Sequence, residues 1–296
     1  MSEPTLLIRD LHLSFRTYTG IIDVLHGISL HIAKGERVAL VGESGSGKSV
    51  TARLIIGLLQ MARGTRVDGL LQFEGRDLEK LSQSERHALR GTRMSMIFQD
   101  PTSSLNPVYT VGAQFHEVLR RSAPGIGKTQ AMERATALLD EVLIPDPARV
   151  LASYPFQLSG GMNQRVMIAM ALANEPSLLI ADEPGTALDV TVQAQTLKLM
   201  RDVVTRHGTS VLFISHNLGV VREFADRVYV IYKGRLVEQA RTDDLFDNPQ
   251  HPYTQALMRA IPRITGGGIP DIEEASERFH EPLIVHESCG EPGGAR

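Results

Sequence analysis

The stretch that most constrains this chain is Gly42-Glu43-Ser44-Gly45-Ser46-Gly47-Lys48-Ser49. A short apolar run, Arg37-Val38-Ala39-Leu40-Val41, leads straight into it and reads as a buried strand. After it, Ala52, Ile55, Ile56 and Leu59 recur at helical spacing, which predicts a helix over 49–59. A glycine-rich loop between a strand and a helix is the setting a phosphate cradle needs. Glycines let backbone N–H groups turn toward an anion without steric conflict. The helix adds the positive end of its dipole. The residues of the cradle are Gly42, Ser44, Gly45, Ser46, Gly47, Lys48 and Ser49. Lys48 is placed to reach the β- and γ-phosphates of a nucleotide, and Ser49 to offer its hydroxyl to Mg²⁺.

A second run, Leu178-Leu179-Ile180-Ala181-Asp182-Glu183, is an apolar strand ending in two carboxylates. Asp182 suits Mg²⁺ binding through water. Glu183, one residue further, is placed to orient and polarise an attacking water. Alone, such a pair reads equally as a solvated turn; behind a phosphate loop it supplies a metal ligand and a base.

Strands and helices alternate around these runs. Residues 5–16 and 22–32 read as strands, as do 177–181, 210–215, 227–232 and 235–238, the last two flanking the turn Lys233-Gly234. Residues 191–206 read as a helix. The alternation predicts an α/β fold with a parallel sheet. Residues 111–121 and 129–142 read as amphipathic helices separated by Pro124-Gly125-Ile126-Gly127, and predict a helical subdomain inserted in the core. Beyond about residue 261 the chain is acidic, contains Gly and Pro, and lacks periodicity, as expected of a loosely ordered tail.

Bulk properties exclude several classes. With 31 Lys and Arg against 34 Asp and Glu, the net charge of −3 is too balanced for nucleic acid to be the main partner. A single cysteine, Cys289, excludes an internal disulfide framework. The start, Met1-Ser2-Glu3-Pro4, carries no signal-like sequence. The longest apolar run, 166–173, is far short of the ~20 residues a membrane span needs. The expectation is a soluble, cytoplasmic chain that reaches a membrane only through a partner.

A third run, Leu158-Ser159-Gly160-Gly161-Met162-Asn163-Gln164, resembles the signature motif of ABC-transporter ATPases. The resemblance implies that Ser159, Gly160, Gly161 and Gln164 meet the ATP held by a second subunit. The same resemblance extends along residues 5–260. Gln99 is similar to the Q-loop glutamine, a Mg²⁺ contact that couples to the membrane subunit. His216 resembles the switch histidine, and Ala187-Leu188-Asp189 the D-loop. Phe15 matches the aromatic that stacks on adenine, with Tyr18 a nearby rival and a core role for Phe15 the other reading. The implied fold is a RecA-like P-loop NTPase core with an antiparallel β subdomain and an inserted α-helical subdomain. It would occupy residues 1–260, with the helical insertion at about 100–170 and an extension at 261–296.

Gln99-Asp100-Pro101-Thr102-Ser103-Ser104-Leu105-Asn106-Pro107, Tyr154-Pro155-Phe156-Gln157 and His251-Pro252-Tyr253-Thr254 resemble the oligopeptide/dipeptide/nickel branch of importer ATPases. That branch implies ATP and Mg²⁺ as cofactors and Glu183, His216 and Gln99 as catalytic residues. It implies a second ATPase subunit, identical or paralogous, two integral membrane permease subunits and, indirectly, a periplasmic or surface solute-binding protein. The expected location is peripheral, on the cytoplasmic face of the plasma membrane. The expected cargo is di- or oligopeptides, with nickel or another small solute as the alternative. A non-transport ABC ATPase fits less well, for want of a coiled-coil insertion, a second cassette or a cysteine pair. Three positions depart from the branch pattern: Gly185 in place of Thr, Asn217 in place of Asp, and Asn163 in place of Arg. The lone Cys289 does not predict the iron–sulfur cluster that many members carry, and the tail 266–296 does not match the family pattern.

Overall fold

The computed structural model describes residues 3–18, 20–59, 64–99, 104–185, 189–260, 279 and 281–286. The chain divides into two compact units, Met1–Lys80 with Phe213–Arg296, and Leu81–Leu212.

The first unit opens with β1 (Leu6–Thr17) and β2 (Gly20–Ile32), an antiparallel pair. Leu6 and Ile8, then Leu11 and Leu13, are buried. A register shift between Ile8 and Leu11 resets the alternation, so one face of β1 stays apolar across the bulge. Next come β3 (Arg37–Val41), α1 (Lys48–Ile55), β4 (Arg66–Phe73) and β5 (Arg76–Asp77). The antiparallel sheet runs β2-β1-β4-β5. Helix α1 stops at Ile55 rather than continuing to Leu59. Gly57, at φ +72°, takes the left-handed position that ends it. Its N–H donates to Leu54 O, and that of Leu58 to Arg53 O, the paired bonds of a Schellman stop.

The second unit contains α2 (Gln83–Leu89), β6 (Met94–Ile97), α3 (Val111–Arg120), α4 (Lys128–Glu141), α5 (Pro147–Ala152), α6 (Gly160–Leu172), β7 (Leu178–Asp182) and α7 (Val190–His207). Ser82 and Glu85 cap α2 reciprocally. Val111, Phe115 and Leu119 of α3 are buried, as are Ala131, Ala135 and Leu139 of α4 and Val150 of α5. The predicted amphipathic helices therefore share one apolar core. The longest apolar run of the chain lies in α6, where Val166, Ile168 and Ala169 are buried. Among the described residues no helix is long and apolar enough to cross a membrane.

Strand β8 (Ser210–Ser215) crosses the division, with 210–212 in the second unit and 213–215 in the first. In the second unit the strand order is β8-β7-β6, with β6 and β7 parallel. The first unit then adds α8 (Leu218–Phe224), β9 (Arg227–Tyr232), β10 (Arg235–Arg241), α9 (Thr242–Asp247), α10 (Pro252–Arg259) and β11 (Ile284–Val285). There the order is β11-β10-β9-β3-β8. Strands β3 and β9 run parallel, and β9 and β10 form the predicted hairpin about Lys233 and Gly234, both at positive φ. Phe213 stacks on Phe224 with ring centroids 4.5 Å apart.

The expectation of a loosely ordered tail does not hold for its described part. Phe279 is buried, β11 pairs in parallel with β10, and the ring of His286 lies 2.7 Å from the buried Glu238 carboxylate. A two-residue strand has no periodicity to read; its partner and the buried carboxylate hold it in place.

An ion pair between the buried Arg227 and the part-buried Glu36 ties β9 to the turn before β3. Arg227 gives both forks of its guanidinium to Glu36, at 2.8 and 2.9 Å, and further bonds to Tyr229 Oη and His31 O. Burial, then the positive charge of Arg227, hold the His31 pKa below its ordinary value. Removing one partner of such a pair leaves an uncompensated buried charge. Glu36→Gln is therefore expected to lower the unfolding free energy by about 3–5 kcal/mol, read from urea denaturation; a loss under ~1 kcal/mol would show the pair to be incidental.

Candidate functional site

In the first unit the site is built on the C-terminal end of β3. Val38, Ala39, Leu40 and Val41 are fully buried, so the strand delivers Gly42 from the middle of a sheet with little freedom. A Cβ on Gly42 would lie 2.1 Å from the backbone oxygen of Ile231 in β9, so only glycine lets the strand leave this close to its neighbour. Gly47, at φ +107°, is the N-cap of α1. The loop is tied by Ser46 N–H to Glu43 O at 3.2 Å and by Gly234 N–H to Ser46 O at 2.9 Å. Ser44 and Gly45 stay exposed at its crest, while Ser46 and Lys48 are buried and Ser49 is half-buried.

Lys48 points its ammonium back over the loop. Nζ donates to Gly42 O at 2.8 Å and to Glu43 O at 2.7 Å. Thr51 Oγ1, in the first turn of α1, donates to Gly47 O at 2.9 Å. A buried ammonium, free backbone geometry at the crest and a helix N-terminus together form a receptor for a polyanion.

His216 follows β8 and is exposed. Asn217 caps α8, its side-chain oxygen accepting from the N–H groups of Gly219 and Val220 at 3.1 and 3.4 Å. Asn serves as a helix cap as well as Asp does, so this departure from the branch pattern keeps the local structure. Phe15 lies opposite Ile22 near the tip of the β1–β2 hairpin and is half-exposed, and Tyr18 is fully exposed. Phe15 is therefore not a core residue, and both rings remain available for stacking.

In the second unit the parallel ladder decides what meets. Ile97 of β6 is in register with Ala181 of β7, so the residues two steps beyond, Gln99 and Glu183, leave the sheet side by side. Gln99 Nε2 donates to Glu183 Oε2 at 2.9 Å. Asp182, the last residue of β7, is 6% exposed. Glu183 sits at φ +49°, a conformation that non-glycine residues rarely adopt and that turns its carboxylate sharply out of the strand. Gly185 follows at φ +95°, a backbone that threonine would strain to adopt. Of the D-loop match, Ala187 and Leu188 lie outside the described residues; Asp189 stands at the N-cap of α7.

Ser159 caps α6 through a bond from Met162 N–H at 3.3 Å, and Gly160 with Gly161 opens the helix at the surface. A Cβ on Gly161 would meet Val192 Cγ1 at 2.9 Å, so this glycine also lets α7 approach. The first turn thus exposes backbone donors at a helix N-terminus. Gln164, grouped with these residues from the sequence, departs from them. It is 1% exposed and its Oε1 meets no partner among the described residues. One turn into the helix, its side chain faces the core and does not present itself to an external phosphate. Asn163 is also buried, and its Nδ2 donates to Pro155 O at 3.0 Å, tying the signature helix to the Tyr154–Gln157 turn.

In the sequence Tyr253 is only one residue of the branch-like run His251–Thr254. Its hydroxyl accepts the N–H of Glu43 in the phosphate loop at 3.0 Å, from 210 residues away. The run His251-Pro252-Tyr253 was the available signal, but nothing in it says which loop the ring supports. Cys289, which does not predict an iron–sulfur cluster, lies outside the described residues.

Comparisons with known proteins show which family the chain resembles. A family model described as "ABC transporter" matches residues 25–186, and one described as "Oligopeptide/dipeptide transporter, C-terminal region" matches 237–289. The second match reaches well into the tail 266–296, whose sequence alone does not show the family pattern. The chain is 49% identical over 261 residues to an oligopeptide transport ATP-binding protein, OppD, of Bacillus subtilis (strain 168), covering 88% of this chain and 73% of that one. It is 48% identical over 296 residues to a putative peptide import ATP-binding protein of Brucella abortus (strain 2308), covering 100% of this chain and 86% of the relative. In fold it is similar to a solved structure described as the dimeric structure of a post-hydrolysis state of the ATP-binding cassette MJ0796 bound to ADP and Pi. That likeness has a TM-score of 0.70 at 26% identity and covers 80% of this chain and 98% of that one. On the phosphate loop, the paired carboxylates, the signature helix and these matches together, the chain belongs to the ABC-transporter family of ATP-binding subunits.

Proposed function

We propose that this chain is the ATP-hydrolysing subunit of an importer, driving uptake of di- and oligopeptides through separate membrane subunits. The hydrogen bond between Gln99 and Glu183 carries the hydrolytic part of this reading, because it aims a carboxylate of the right kind beyond the end of β7. The match of residues 237–289 to the oligopeptide/dipeptide C-terminal region, with the printed names of the relatives, supports the peptide part.

In this reading the loop Gly42–Ser49 holds the triphosphate, with Lys48 neutralising the β- and γ-phosphates and the crest at Ser44 and Gly45 supplying backbone N–H groups. Phe15 or Tyr18 stacks on the adenine. Ser49, Gln99 and Asp182 offer hard oxygen atoms, the donor type that Mg²⁺ prefers. The ion, when bound, neutralises charge on the phosphates. Glu183 accepts a proton from the attacking water, Gln99 holds that carboxylate in place, and His216 stabilises the leaving phosphate. Ser159, Gly160 and Gly161 approach the nucleotide of a second ATPase subunit, whether identical or paralogous. Gln164, being buried, supports the signature helix from inside. The domain reading keeps 1–260 as the ATPase domain, with the helical insertion within about 100–170. The remaining partners are two integral membrane permeases and, through them, a solute-binding protein outside the cell. The chain then sits peripherally on the cytoplasmic face of the membrane.

Glu183→Gln is expected to retain ATP binding and to lower turnover at least about 100-fold, on the scale of a lost general base; turnover within threefold of the parent would remove Glu183 from that role. Cells whose only copy carries Glu183→Gln are expected to lose uptake of labelled di- and oligopeptides. Undiminished peptide uptake, with the altered chain present at normal levels, would shift the cargo to nickel or another small solute.

A further inference from the structure

The phosphate loop has a support that its own motif does not contain. A trans peptide is planar, so the N–H of Glu43 and the C=O of Gly42 are opposite ends of one rigid unit. Tyr253 Oη accepts from the first at 3.0 Å. Lys48 Nζ donates to the second at 2.8 Å. Turning that plane would break both bonds together. Tyr253 cannot easily move, because its ring is fully buried and packs, tilted, against Tyr232 at 4.5 Å and, edge-on, against Phe279 at 5.5 Å. The helix bearing it is capped by His251, whose ring accepts Tyr253 N–H at 3.1 Å. Glu238 in β10 accepts the backbone N–H groups of Gln250 and His251 at 2.7 and 3.1 Å, which fixes the start of α10. Burial pushes the Tyr253 hydroxyl well above its ordinary pKa, so it stays neutral.

We infer that Tyr253 is a positioning residue for ATP binding: through the Gly42–Glu43 peptide plane its hydroxyl sets where the Lys48 ammonium is held. The C-terminal segment thereby acts on the phosphates without touching them. This inference rests on the proposed reading of Gly42–Ser49 as the nucleotide site.

The test uses the full chain and equilibrium binding of a fluorescent ATP analogue with Mg²⁺, alongside thermal unfolding without nucleotide. Tyr253→Phe keeps the ring and removes the acceptor. It is expected to weaken ATP binding about tenfold, equivalent to ~1.4 kcal/mol. Phe224→Leu removes a buried ring stack on Phe213 and keeps the Tyr253 hydroxyl and its aromatic neighbours. It is expected to lower the unfolding midpoint while leaving ATP affinity within about twofold of the parent. Lys48→Ala sets the floor. ATP affinity of Tyr253→Phe within twofold of the parent would overturn the inference, as would parallel losses in both variants that track their unfolding midpoints. If the parent bound ATP no better than Lys48→Ala, the nucleotide-site reading itself would fail, a result distinct from either.

Discussion

The docking of the Lys48 ammonium on the carbonyls of Gly42 and Glu43 is the interaction on which the first unit is organised. A buried ammonium needs acceptors, because an unpaired charge away from water is expensive. The loop supplies two, and the sheet fixes the loop. Ile231 O leaves no room for a side chain on Gly42, and Gly234 N–H holds Ser46 O. The cradle is therefore shaped by β9 and the turn after it as much as by its own glycines. That dependence explains why the C-terminal strands and α10 belong with the phosphate loop in one compact unit.

The second unit solves a different problem, that of presenting a carboxylate and a glutamine together at the end of a sheet. Its means is strand register. With Met94 paired to Leu178 and Ile97 to Ala181, Gln99 and Glu183 emerge level with each other. A slip of one residue would turn every side chain of β6 to the other face and separate them. The strained backbone at Glu183 and the left-handed Gly185 redirect the chain immediately after the site.

The departures from the branch pattern have separate physical readings. Asn217 replaces one good cap with another. Gly185 occupies a backbone conformation that favours glycine. Asn163 uses a short amide to bond Pro155 O inside the unit. None of these removes a group assigned to phosphate binding or to hydrolysis.

The sequence by itself determined the local features. The strand–loop–helix context of Gly42–Ser49, the apolar strand before Asp182 and the two helices flanking Pro124–Gly127 are set by residue spacing over a few turns, and each is legible in the chain. Tertiary structure decided what came together. Gln99 finds Glu183 across 84 residues, and Tyr253 finds Glu43 across 210. It also turned Gln164 inward and laid the two-residue β11 against β10. Spacing encodes which face of an element is apolar. Which other element covers that face, and in what register, depends on packing and backbone hydrogen bonds between segments far apart in the chain.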